Sequence, residues 1–170
     1  MKNLPENISK NAICHNISII MQGPLSIGSI GLIAKNCKIW KNILPNSEII
    51  LSISHADGFE LNNDMNLMNK KINSHNCIDE INTINDLCRF IIKSTEIKSL
   101  PKIKIDSNGN NNINYQIKSS FLGLEKATKN YAIKIRSDMV FKDTYFIDFY
   151  LKNYRIHRGN KRCLQDRVLI

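Results

Sequence analysis

The chain of 170 residues lacks the segments that place a protein in or across a membrane. No apolar run approaches the roughly 20 residues needed to span a bilayer. Nothing near Met1 combines a positive segment, an apolar stretch and a small-residue cleavage site, which together mark a secretory signal. We therefore expect a cytoplasmic protein, for which peripheral contact with the inner face of the inner membrane stays open.

Paired cysteines are also missing. The five cysteines are odd in number and widely spaced, without a Cys-x-x-Cys pair or a histidine at zinc-ligand spacing. This pattern excludes the usual structural zinc motifs and fits a reduced, intracellular protein. The five are Cys14, Cys37, Cys77, Cys88 and Cys163.

Acidic residues are scarce relative to basic ones, and the formal net charge is +9. Such an excess favours anionic partners, which include nucleic acid, acidic lipid headgroups and nucleotide diphosphates. The one dense basic cluster, at residues 154–167, reads equally well as a solvated tail. Because there is neither a clear recognition helix nor an exposed aromatic platform, we do not expect nucleic acid as the partner.

Internal repeats and low-complexity linkers are absent, and 42% hydrophobic residues suffice for one core. A buried strand is predicted at Ile17–Met21, ending in a turn at Gln22-Gly23-Pro24. Apolar residues then recur at helical spacing from about residue 29 to 44, and residues 48–54 form a second buried strand. Strand, helix and strand in this order predict a parallel βαβ unit.

The segment at about 59–100 is interpreted as an insertion, with one helix across residues 81–92. A short strand at 102–106 and a loop at 107–111 follow. The fold class is therefore α/β, a Rossmann-like sheet flanked by helices in a single domain over residues 1–170. The end, 166–170, reads as the opening of another strand, so a truncated C-terminus is expected.

A helix from Asn112 to about Lys129 is predicted, since Asn112 can cap its start. Its apolar side is expected to face the core, and its polar side a ligand. The apolar residues are Ile113, Ile117, Phe121 and Leu124, and the polar side consists of Gln116, Ser119, Ser120 and Gly123.

The next strand, residues 131–135, opens into Arg136-Ser137-Asp138, and a helix follows at about 144–154. Ligands of open α/β sheets bind at the carboxyl ends of the strands, where these residues lie. Asp138 can hold a divalent cation that bridges two phosphates, or it is simply a turn aspartate. Lys134 and Arg136 alternate onto one side, where they can neutralise a diphosphate or merely keep an edge soluble.

Several segments resemble the WavE family of lipopolysaccharide synthesis proteins. They are ISIIMQGPL (17–25), LPNSEIILS (44–52), NINYQIKSSFLGLEKA (112–127), YAIKIRSDMVF (131–141) and the terminal DRVLI (166–170). The resemblance implies a glycosyltransferase with a GT-A-like nucleotide-binding sheet. Its donor would be a nucleotide sugar, and its acceptor a glycan or lipid-linked saccharide of lipopolysaccharide or capsule.

The resemblance also implies roles for individual residues. Gln22, Gly23 and Pro24 would form the loop near the nucleotide base, and Asn114 and Gln116 would face the donor. Arg136 and Asp138 would stand in place of the Asp-x-Asp element as the catalytic pair, with Mn²⁺ or Mg²⁺ on Asp138. Because the first acidic position is an arginine, a metal-independent site remains the alternative. The full predicted substrate-binding set is Gln22, Gly23, Pro24, Asn112, Asn114, Gln116, Lys134 and Arg136.

Three other readings compete. A nucleotidyltransferase would carry a basic, glycine-rich loop after the first strand, but residues 22–31 contain no basic residue. A basic nucleic-acid-binding protein is favoured by the net charge alone. An inactive or truncated remnant of the transferase is the third. His55 and Asp57, after the second strand, are weaker candidates for contact with ribose or base, and Asp166 for the catalytic base.

Overall fold

The computed structural model describes residues 9–57, 59–62, 66–69, 77–94, 98, 100–101, 111–139 and 143–153. Within these ranges the helices are α1 (Lys10–Cys14), α2 (Ile27–Ile43), α3 (Ile78–Leu87), α4 (Ile113–Lys126) and α5 (Tyr145–Asn153). The strands are β1 (Ile17–Leu25), β2 (Glu48–Ala56), β3 (Phe59–Leu61), β4 (Leu67–Asn69), β5 (Cys88–Lys93) and β6 (Tyr131–Arg136).

Four strands form a parallel sheet in the order β5-β2-β1-β6, and β3 pairs with β4 in a separate antiparallel hairpin. The predicted βαβ unit of β1, α2 and β2 is confirmed. The fold is α/β with a parallel central sheet flanked by helices, compatible with the Rossmann-like arrangement expected from the sequence. That the chain is one domain with an insertion stays a prediction.

One face of the sheet carries the apolar core. Ile19 and Met21 of β1, together with Leu51 of β2, pack with the buried side of α2. On α2 that side includes Cys37 and Trp40, as the helical spacing predicts. Pro45 and Asn46 directly follow the helix, where they were expected to stop it.

The opposite face mixes polar residues with Ile20 and Ile50. Strand alternation and the β1–β2 register place Ser18, Gln22, Glu48, Ser52 and Ser54 on it, and all five are buried. Helix α4 covers this face. The residues of α4 that contact the sheet are small. Ser52 Oγ donates a hydrogen bond to the carbonyl oxygen of Ser119 at 2.6 Å, and a Cβ atom at Gly123 would overlap Cγ2 of Ile20.

The predicted orientation of α4 is therefore wrong. Ser119 and Gly123 are its buried residues, whereas the four apolar residues expected in the core are 46 to 61% exposed. The cause is the sheet surface beneath the helix: serine side chains that need hydrogen-bond partners accept a close helix backbone more readily than bulky apolar groups. Asn112 is the N-cap residue, but its side chain makes no capping hydrogen bond.

Two further predictions need correction. Strand β1 continues to Leu25, so Gln22, Gly23 and Pro24 lie in the strand, at a register shift between Gly23 and Pro24, and form no loop after it. The helix predicted across 81–92 ends at Leu87, because residues 88–93 form β5 and pair with β2. Strand β6 is an edge strand of the described sheet, with only Ile133 and Ile135 buried.

Some predicted features lie outside the described residues. They are the strand at 102–106, the loop at 107–110, the basic segment at 154–167 and the terminal strand at 166–170. Among the described helices, none is long and apolar enough to cross a bilayer. The four cysteines described are free thiols.

Candidate functional site

The carboxyl edge of the sheet brings together the ends of β1, β2 and β6 with the first turn of α4. Helix α4 runs antiparallel to the strands, because Ser119 lies over Ser52 in mid-strand and Thr128, beyond the end of the helix, bonds Glu48 at the start of β2. The N-terminus of α4 therefore lies toward the carboxyl edge. Its first turn contains no acidic residue, and the N–H group of Ile113 donates to Oδ1 of Asn111 at 3.0 Å. The positive end of the helix dipole therefore lies toward this edge.

Arg136 and Asp138 form a bidentate ion pair at this edge. Nε of Arg136 donates to Oδ1 of Asp138 at 2.8 Å, and Nη2 donates to Oδ2 at 2.6 Å. Both side chains are solvent-exposed, 62% for Arg136 and 51% for Asp138. The hydrogen bonds from Arg136 hold the pKa of Asp138 below its ordinary value, and the same bonds raise the pKa of Arg136. Both groups are therefore charged at neutral pH.

The turn that carries this pair is fixed from inside the protein. Ser137 N donates to the carbonyl oxygen of Gln22 at 2.9 Å. The buried Asn36 of α2 donates from Nδ2 to the carbonyl oxygens of Ser137 at 2.7 Å and Met139 at 3.3 Å. Gly23 is needed beside the turn, since a Cβ atom there would overlap Oγ of Ser137. Two buried elements thus hold an exposed turn.

Asn36 and Ser137 were not predicted as site residues. Asn36 did carry a signal in the sequence, because it is a polar residue on the apolar face of α2, between Ile33 and Trp40. A buried amide on such a face needs hydrogen-bond partners, but the sequence cannot say which ones.

The predicted binding residues divide into two groups. Gln22 is the register partner of Arg136 and lies on the same sheet face, and Lys134 alternates onto that face two residues earlier. Gln22 is buried, whereas Lys134 is half-buried. The structure therefore places Gln22, Lys134 and Arg136 on one face of the sheet, the face on which α4 packs against β1, β2 and β5. Gly23 lies on the opposite face, and Pro24 is exposed.

The second group lies at the start of α4. Asn112 and Gln116 are exposed, and Asn114 Nδ2 donates to the carbonyl oxygen of Lys98 at 3.5 Å. These residues share the carboxyl edge with Arg136, but no hydrogen bond joins the two groups in the described part of the chain. His55 and Asp57, at the end of β2, are exposed at the same edge.

Asp138 was predicted to hold a divalent cation, and its surroundings do not fit one. Both of its carboxylate oxygens accept hydrogen bonds from a guanidinium, whose positive charge would repel a metal ion. Within the described ranges, no group of three or more histidine, cysteine or acidic side chains could hold a metal. Arg136 and Asp138 instead form a neutral ion pair, in which the guanidinium keeps N–H groups that Asp138 does not use.

The opposite edge of the sheet holds a hydrogen-bonded network around the buried Glu48. Its carboxylate accepts hydrogen bonds from Ser18 Oγ at 2.5 Å, from Thr128 N at 2.5 Å and from Thr128 Oγ1 at 2.8 Å, and it pairs with Arg89 at 2.9 Å. Burial raises the pKa of Glu48, but these hydrogen bonds and Arg89 outweigh it and leave the pKa below its ordinary value. This network ties the end of α4 to the sheet.

An α/β protein with a parallel sheet flanked by helices, whose carboxyl edge carries an exposed Arg136–Asp138 ion pair, is the class that the geometry defines. A sequence model of the family described as WavE lipopolysaccharide synthesis matches residues 101–170, which include α4, β6 and the Arg136–Asp138 pair. The resemblance to this family inferred from the sequence is confirmed over that range, which is less than half of the chain. No curated protein and no solved structure matches the chain.

Proposed function

We propose that the chain is the donor-binding part of a glycosyltransferase that moves a sugar from a nucleotide-sugar donor to a saccharide of lipopolysaccharide or capsule. The observation that carries the proposal is the Arg136–Asp138 pair, exposed at the carboxyl edge of a parallel sheet and held by the buried Asn36. The family match over the same residues supports it. A GT-A-like sheet is part of this proposal.

The pair leaves donors for a ligand. A guanidinium has five N–H donors, and Asp138 accepts two of them, so three remain for phosphate oxygens. Asp138 is then a positioning residue: its carboxylate orients Arg136 and does not itself touch the phosphates. Lys134 and the N-terminus of α4 add positive potential on the same side.

In the transfer, an acceptor hydroxyl attacks the anomeric carbon, and the bond between that carbon and the phosphate oxygen breaks. The nucleoside diphosphate leaves with the electron pair, and Arg136 stabilises the charge that develops on it. We infer that Gln22, the register partner of Arg136, hydrogen-bonds the donor. We assign the base to no described residue, and Asp166 lies outside the described ranges.

The test is a thermal-shift titration of the full chain against UDP-, GDP-, ADP- and CMP-sugars and a short oligonucleotide. Stabilisation by one nucleotide class, lost in Arg136→Ala and kept in Lys38→Ala, supports the transferase. Lys38 is the control because it is an exposed cation on α2. Stabilisation by the oligonucleotide alone would identify the nucleic-acid-binding alternative, and no response to any ligand would favour an inactive remnant.

A further inference from the structure

Cys37 of α2 and Cys88 at the start of β5 lie side by side in the core. Their sulfur atoms are 3.7 Å apart, and Sγ of Cys37 is also 3.9 Å from Sδ of Met21. Cys37 is fully buried, and Cys88 is 8% exposed. The two residues are 51 positions apart in the sequence, so the contact between their thiols exists only in the folded chain. Neither residue takes part in the proposed function.

The contact distinguishes this pair from the other cysteines that the structure describes. Cys14 and Cys77 are also free thiols, but neither has a sulfur contact within the described ranges. A disulfide has an S–S bond of about 2.05 Å, so the sulfur atoms of Cys37 and Cys88 need to approach by about 1.7 Å. Rotation of each side chain about its Cα–Cβ bond moves its sulfur atom. Among the described cysteines, this pair alone is placed to form an internal disulfide.

Cys88 lies at the least constrained end of the described sheet. Strand β5 is an edge strand there and pairs only with β2. The register shifts next to Cys88, which leaves Arg89 as an extra residue that β2 does not match, and the side chain of Arg89 is 52% exposed. An irregular end of an edge strand opens at a lower free energy than the central strands do. Local opening of β5 at this end exposes the two thiols.

The closed pair is protected from oxidation. The hydrogen bond with Cys37, together with burial, raises the pKa of Cys88 well above its ordinary value. The thiolate is the form that reacts with oxidants, and this raised pKa keeps the thiolate scarce while the strand is closed. Oxidation is therefore confined to molecules in which the start of β5 has opened.

We propose that oxidation by a peroxide joins Cys37 and Cys88 in a disulfide that fastens β5 to α2. In the opened state one thiolate attacks a peroxide oxygen, the O–O bond breaks, and a sulfenic acid and hydroxide form. The second thiolate attacks the sulfenic sulfur, the S–O bond breaks, and the S–S bond forms as a second hydroxide leaves. The hydroxides take up the two protons that the thiols released. Two thiols and one hydrogen peroxide thus give one disulfide and two waters, and two electrons pass from sulfur to oxygen.

Mass spectrometry of the full chain after treatment with hydrogen peroxide tests whether the disulfide forms. A digest without reductant should contain a linked pair of peptides with Cys37 and Cys88, about 2 Da lighter than the two peptides together, which a thiol reductant separates. Cys14→Ala should form this link as wild type does, and Cys88→Ala should not. Thiols that stay unreacted, sulfinic or sulfonic acid in place of the link, or a predominant link to another cysteine would overturn the proposal.

Hydrogen exchange tests whether the disulfide fastens the strand. The amides of β5, and that of Ser94 directly after it, should exchange about tenfold more slowly in the oxidised than in the reduced protein. The amide of Ser94 is a suitable reporter, because it donates to the carbonyl oxygen of Ile53 in β2 at 2.8 Å. Cys88→Ala, treated with peroxide in the same way, should show no slowing. A disulfide that leaves exchange in β5 unchanged would also overturn the proposal. Neither measurement uses a nucleotide, so a failure of the proposed function would not affect the result.

Discussion

Asn36 and Ser137, 101 residues apart in the sequence, are joined by a buried hydrogen bond of 2.7 Å from the Asn36 side chain to the Ser137 backbone carbonyl. The bond connects the apolar core under α2 to the turn at the end of β6. Because Ser137 lies between Arg136 and Asp138, a residue in the core determines where the exposed ion pair is held.

Replacing Asn36 should disturb both stability and ligand binding. Asn36→Leu leaves the carbonyls of Ser137 and Met139 without their donor, and we expect a loss of about 2–3 kcal/mol in the free energy of unfolding. Nucleotide affinity should fall as well, because the turn loosens. Chemical denaturation and ligand titration measure the two effects. Asn42→Leu, an exposed change on the same helix, should alter neither, and an unaffected Asn36→Leu would contradict the anchoring role.

The close contact of α4 with the sheet gives a second prediction. Gly123→Ala should cost about 1–3 kcal/mol of stability, because its methyl group would overlap Ile20 in a packed interface. Gly31→Ala is the control: it is in α2 with no atom near the added methyl, and it should stabilise by about 0.5–1 kcal/mol. Equal melting temperatures for the two variants would show that α4 does not pack as described.

Glu48 predicts a dependence of stability on pH. Its pKa is lowered in the folded protein, so its carboxylate stabilises the fold above the ordinary glutamate pKa and loses that contribution as pH falls through the depressed value. Glu48→Gln should therefore destabilise by about 1–3 kcal/mol at neutral pH. The difference in the free energy of unfolding between wild type and Glu48→Gln should become smaller at pH values below the ordinary glutamate pKa.

Urea unfolding of wild type and Glu48→Gln at neutral and acidic pH measures this difference in stability. Glu125→Gln, an exposed change on α4, serves as the control and should stay within about 0.5 kcal/mol of wild type at every pH. A stability difference between wild type and Glu48→Gln that stays constant with pH would argue against an ionised, hydrogen-bonded Glu48.

The hydrogen bonds that Asp138 accepts predict that nucleotide binding does not depend on divalent cations. Since Arg136 occupies both carboxylate oxygens, the affinity for a nucleotide should be the same in chelator as with Mn²⁺ or Mg²⁺. Titration under the three conditions measures this. An affinity that rises strongly with metal, and that Asp138→Asn abolishes, would restore the metal site expected from the sequence.

The sequence predicted those parts of the fold that local patterns determine. The β-branched runs of β1 and β2 and the helical spacing of α2 each identify an element without reference to neighbours, and their order implies a parallel sheet. The orientation of α4 could not be predicted in this way. It depends on the polar sheet face made by Ser18, Ser52 and Glu48, which forms only when β1 and β2 pair in register.

The candidate site was predicted in part for the same reason. Arg136 ends strand β6 and Asp138 follows it, so the local pattern places both at the carboxyl edge. The ion pair joins residues only two apart, but the sequence does not show which partner each side chain takes. The hydrogen bond from Asn36 to their turn joins residues 101 apart, and local pattern cannot reveal it. Gln22 was expected in a loop because Gly23 and Pro24 usually end strands, but β1 accommodates them with a register shift.

The central claim is that Arg136 binds the diphosphate of the donor. Calorimetry should compare, for wild type and Arg136→Ala, the affinity for a nucleoside diphosphate with that for the same nucleoside. We predict that wild type prefers the diphosphate and that the substitution reduces this preference about tenfold or more. An unchanged ratio of the two affinities would mean that the phosphates are bound elsewhere.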